Sequence, residues 1–142
     1  MGFLATDVTP ISSTGPTVLI PTSKDVVVKT FAVARTETSD VLKAVLPADA
    51  SIIGFKVYGS TASDSATSAT LTFTIANNGG TVSSGTYDVK TSGAVTGEVT
   101  MSGLPNIQPV PLNGDLTIKA NYGEVGAATT GGPWNVLVSY VR

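Results

Sequence analysis

The chain has 142 residues, with 8 basic and 10 acidic side chains, a net charge of −2, and no His or Cys. That length suits one hydrophobic core and is short for two. Without imidazole or thiol the chain lacks the usual neutral-pH acid–base group, thiol nucleophiles, disulfides and zinc or iron–sulfur ligands, and its weak negative charge offers no footprint for nucleic acid.

In chain order, residues 1–22 read as an extended N-terminal arm punctuated by Pro10, Gly15, Pro16 and Pro21, with a short apolar stretch from Thr17 to Ile20. Fully extended, such an arm reaches up to about 70 Å. Residues 23–142 read as one β-domain. Val, Ile and Thr number 18, 7 and 21, and β-branched side chains suit a pleated surface better than a helix. Asp25 to Arg35 carries Val26, Val27 and Val28 in a row, the pattern of a central strand covered on both faces. Val41 to Leu46, stopped by Pro47, is too short for a stable helix and reads as a strand. In Ser51 to Tyr58, the residues Ile53, Phe55 and Val57 share one face. Gly59 to Ser68 is a small polar loop.

Ala69 to Ala76 alternates most cleanly, with Leu71, Phe73 and Ile75 inward and Thr70, Thr72 and Thr74 outward. Asn77-Asn78-Gly79-Gly80 forms a turn. Val82 to Lys90 follows, with Tyr87 and Val89 on one face. One further short strand is expected around Glu98 to Met101. Asn106 to Leu112 contains Pro109 and Pro111 and is confined to an edge or loop. Asn113-Gly114 signals a hairpin turn leading into Asp115 to Tyr122. A glycine-rich excursion from Gly123 to Pro133 precedes the last strand, Trp134 to Val141. Seven to nine short strands with connections of uneven length predict an all-β double-sheet jelly roll, with an immunoglobulin-like sandwich second.

No spacing singles out a catalytic pair among the ten carboxylates, Asp7, Asp25, Glu37, Asp40, Asp49, Asp64, Asp88, Glu98, Asp115 and Glu124. Turn capping and solvation account for them, and no enzyme activity, catalytic residue or cofactor is expected. Asp64 with Asn77 and Asn78 are the only oxygen ligands worth considering for calcium, and turn chemistry explains them better. Gly79-Gly80 and Gly131-Gly132 are not phosphate loops, since no Lys-Ser/Thr and no helix follows. Trp134 with Tyr58, Tyr87, Tyr122 and Tyr140 could line a sugar platform. A lone Trp opening a strand more often plugs the core, its N–H bonded to a backbone group.

Only 13% of residues are charged, about half the roughly 25% of soluble domains. Part of the surface is therefore expected to lie against other protein. No apolar run approaches the roughly 20 residues of a membrane span, and Met1 to Asp7 lacks the basic and apolar regions of a cleaved export signal.

Three stretches carry a resemblance. They are Leu46 to Tyr58 (LPADASIIGFKVY), Ser65 to Phe73 (SATSATLTF) and Gly131 to Val141 (GGPWNVLVSYV). Together they resemble small structural proteins of tailed-bacteriophage virions, most of all the jelly-roll decoration or cement proteins on the outside of short-tailed phage heads. The resemblance spans residues 25–142 and marks no catalytic or capsid-contact residue. It implies a virion protein on the outer capsid surface that binds the major capsid protein across capsomer junctions. It also implies pairing with its own copies as a dimer or trimer, with no nucleic-acid or membrane partner. The competing expectations are a head-fibre or tail-associated receptor-binding β-domain and a carbohydrate-binding module.

Overall fold

Nine strands are divided between two antiparallel sheets in a computed structural model that describes residues 25–59, 61–90, 96–104, 107 and 112–142. They are β1 (Val27–Val33), β2 (Val41–Leu46), β3 (Ser51–Tyr58), β4 (Ser68–Asn77), β5 (Gly80–Asp88), β6 (Thr96–Glu98), β7 (Thr100–Met101), β8 (Leu116–Val125) and β9 (Trp134–Val141). The first sheet has the order β1-β9-β3-β6 and the second β2-β8-β4-β5-β7. The expected N-terminal arm, and the boundary drawn for it at residue 22, lie outside the described residues.

The pairing is nested. β4 pairs with β5, β3 with β6, β2 with β8 and β1 with β9, each antiparallel. This long four-layer hairpin is rolled so that β9 also pairs with β3 and β8 with β4. That is the strand order of a jelly roll, which distributes consecutive strands between two sheets. The first two strands, β1 and β2, already lie in opposite sheets. No helix occurs among the described residues, and none is long and apolar enough to cross a membrane.

Alternation builds the core. Leu71, Phe73 and Ile75 of β4, Leu116, Ile118 and Ala120 of β8, and Trp134, Val136 and Val138 of β9 are fully buried between the sheets. Phe55 of β3 meets Phe73 of β4 across the interface, their ring centroids 4.9 Å apart and tilted by 60°. Such a pair is worth about 0.5–1.5 kcal/mol beyond its burial.

Four expectations need correction. β1 is an edge strand, not a central one, and Val26, Val27 and Val28 are 54%, 38% and 49% exposed. Ile53 does not share a face with Phe55 and Val57. It is the extra residue of a bulge between Ile52 and Gly54, which turns Ile52 inward and leaves Ile53 exposed. The stretch around Glu98 to Met101 is two strands. β6 ends at Glu98 in the first sheet, Val99 crosses buried through the core edge with its N–H on the Phe55 carbonyl (2.9 Å), and β7 joins the second sheet. Asn113-Gly114 turns with Gly114 at φ +79°, but β8 pairs with β2 and β4, not with a strand just before it. Instead the Asn113 carbonyl accepts the Asn78 N–H at 3.0 Å, seating this turn on the β4–β5 turn. Pro109 and Pro111 lie outside the described residues, while Ile107 pairs in both directions with Ile52 at 2.9 and 3.0 Å.

Candidate functional site

Two surface regions stand out, a tied cluster of loops at one end of the sandwich and a flank along β1 and β2.

The loop end is built by residues 61–67, entering β4, and residues 126–133, leaving β8. Small polar side chains let the first loop pack inward. Ser63 and Ser65 are buried, and buried hydroxyls need partners. Ser63 Oγ shares a 2.7 Å hydrogen bond with the Tyr122 hydroxyl. Ser65 Oγ stands 2.8, 2.7 and 2.6 Å from the carbonyls of Ser68, Val125 and Gly126, among which it donates its one proton.

Between these serines, Asp64 turns outward and ties the second loop. Its carboxylate accepts the N–H of Thr129 (2.8 Å), the hydroxyl of Thr129 (2.7 Å) and the N–H of Thr130 (2.9 Å). The hydrogen bonds, the Thr129 hydroxyl first, hold this carboxyl well below the ordinary carboxylate range. Arg35, just beyond β1, donates to the carbonyls of Ala128 (2.8 Å) and Thr129 (3.0 Å), and Glu124 accepts the Ala128 N–H at 2.5 Å. The three charged groups thus serve to shape the backbone of one glycine-rich loop.

The flank is formed by the first strands of each sheet, which approach one another across the sandwich. Leu42 and Val45 of β2 are 54% and 46% exposed, and the valines at the start of β1 are exposed in similar degree. A bulge at Lys43 points its ammonium into an ion pair with Glu37. Burial by itself pushes the Glu37 carboxyl up, but the Lys43 hydrogen bond and charge and the 2.6 Å bond from the Ala34 N–H outweigh it and bring it below its ordinary value. The outward face of the second sheet is hydroxyl-rich, with Thr72 flanked across strands by Thr86 and Asn121.

The structure separates the calcium candidates. Asp64 precedes β4 and Asn77 ends it, and a ten-residue strand spans about 30 Å. Asn77 Oδ1 accepts the Gly79 N–H at 2.8 Å, as turn chemistry requires. Among the described residues no three His, Cys, Asp or Glu side chains group as metal ligands.

The aromatic candidates do not form one platform. Trp134, Tyr122 and Tyr140 are buried, and only Tyr58, at 37%, counts as exposed. Tyr122 stacks on Trp134 with centroids 5.3 Å apart and planes 12° apart. Trp134 plugs the core, but the expected partner for its indole N–H is missing among the described residues. Burial raises the Tyr122 hydroxyl above its ordinary pKa, with the Ser63 bond opposing.

A pocket of about 410 Å³ opens where β6 gives way to β7, lined by Ile53, Glu98, Val99, Thr100, Met101 and Leu104. Among the described lining residues Glu98 is the one ionisable group. The buried serines and the tie at Asp64 escaped the sequence reading, because a run such as GSTASDSATS carries no periodicity that separates a packed loop from a solvated one.

No protein-family model matches this chain, and no curated protein matches it.

Proposed function

We propose that this protein is a structural component of a phage particle, a jelly-roll cement subunit on the outer capsid surface. In this reading it binds the major capsid protein across capsomer junctions and opposes the pressure of packaged DNA. The observation that carries the proposal is the resemblance in the three stretches, which supply β3, the start of β4 and β9. β3 and β9 are neighbours in the first sheet, and β4 sits at the centre of the second.

The surface chemistry agrees with work by contact. Apolar side chains are covered at no cost and hydroxyls can re-form their hydrogen bonds with a protein partner, whereas buried charges are far more costly. A subunit that touches two capsomers gains from effective concentration once its first contact forms, so each contact can be weak.

The test is on particles. Heads made without the protein should assemble but break at lower temperature or during packaging, and purified protein added back should restore them. Heads of unchanged stability would defeat the reading and favour a receptor-binding appendage.

A further inference from the structure

We infer that the outer edge of β1, which no described strand covers, is the self-association surface of this protein, taking the β1 edge of a second copy in an antiparallel pair about a two-fold axis at Thr30. The inference names the self-contact of the cement reading and rests on it for its setting, but its test uses no capsid, so the two fail separately.

The argument starts from the sheet edges. A sheet edge offers unpaired backbone groups, and proteins blunt it with short strands, bulges, prolines or charge. Three of the four edges here are short or broken. β6 has three residues, β7 has two, and β2 is broken by the Lys43 bulge and stopped at Pro47. β1 carries one guarding charge, Lys29, on the face it shares with Val138, but it is the longest of the four and has no bulge or proline. Its seven residues pair with β9 in unbroken register, and Val26, Val27 and Val28 are exposed at its start.

The occupant follows from symmetry and charge. Pairing β1 with itself about Thr30 uses all seven residues, setting Val27 against Val33, Val28 against Ala32 and Lys29 against Phe31. The only charge in the strand is Lys29, and this register keeps it off its own copy, since like charges directly opposite are destabilising. Thr30 faces outward, opposite Leu137 of β9, and is exposed. The pair also closes. It joins two four-stranded sheets into one of eight whose new ends are the short β6 strands, so a two-fold contact leaves no long edge for further addition.

The experiment uses the purified full chain and measures mass by sedimentation at tens of micromolar. The wild type is expected at twice the 14.4 kDa of the chain. T30E and T30K should each sediment as folded monomers, because each places like charges on the axis, and their thermal midpoints should lose the concentration dependence that association gives the wild type. An equal mixture of the two should regain the doubled mass. As a second readout, amide exchange in Lys29 to Phe31 of the wild type should slow as protein concentration rises. A wild-type monomer, or T30E and T30K variants that remain dimeric, would overturn the inference. So would a monomer that dimerises only when residues 1–24 are removed, which would make that segment the occupant of the edge.

Discussion

Asp64 and Thr129 stand 65 residues apart in the chain, yet the Asp64 carboxylate holds both the backbone N–H and the hydroxyl of Thr129, at 2.8 and 2.7 Å. This tie joins the loop entering the middle of the second sheet to the loop entering the last strand of the first. It gives the glycine-rich connection from β8 to β9 a defined path.

Removing the tie should loosen that connection without unfolding the sandwich. In D64A, amide exchange at Thr129 and Thr130 should accelerate and the thermal midpoint should fall, while the exchange of β4 and β8 stays slow. Unchanged exchange at Thr129 would show that the loop keeps its path without the carboxylate.

The same group sets a pH dependence. The folded pKa of Asp64 lies below its unfolded value, so its contribution is complete above the ordinary carboxylate range and declines as pH falls toward the folded value. Glu37, also lowered, acts in the same direction. The difference in thermal midpoint between wild type and D64N should be flat above about pH 6 and shrink below about pH 4. A difference that grew on acidification would contradict this assignment.

Tyr122→Phe removes one partner of a buried hydroxyl pair and should cost about 1–2 kcal/mol in denaturant melts, as should Ser63→Ala. The double variant should lose less than the two single losses combined, because both remove the same 2.7 Å bond. Strict additivity would mean that the hydroxyls do not interact.

Gly85 in β5 lies against β7, where an added methyl carbon would stand 2.4 Å from the Thr100 carbonyl oxygen and 2.6 Å from Met101 Sδ. Gly85→Ala should therefore displace β7 and destabilise the protein by about 1–3 kcal/mol. A variant of wild-type stability would show that β7 is not fixed to β5.

Trp134 is fully buried. Its emission should be blue-shifted, poorly quenched by iodide and unchanged by a broad panel of glycans. Trp134→Ala should cost about 3–5 kcal/mol. Glycan-dependent quenching would reopen a sugar-binding role.

Local pattern made much of the fold legible. The bounds expected for β2, β3 and β9 coincide with those observed, because a period of two closed by proline or glycine marks where a strand begins and stops. Position within a sheet was not legible. Three consecutive valines are equally compatible with a doubly covered strand and with an edge awaiting a partner, and neighbours distant in sequence decide between them. The bulge at Ile53 was hidden for the same reason. Inserting one residue reverses the facing of a strand, and that insertion is visible only against the register of β9. The serine loop and the tie at Asp64 depend on a segment some 65 residues away.

By itself, the sequence determined an all-β chain without imidazole or thiol, with strands whose apolar faces must be buried. These are properties of residue type and of spacing over a few neighbours. Only the tertiary structure decided that the strands nest as a jelly roll, that β1 is the end strand of its sheet among the described residues, and that Trp134 lies within the core. Those outcomes arise from pairing between segments up to about a hundred residues apart, as between β1 and β9, whose free energy depends on register and mutual burial that no local window contains.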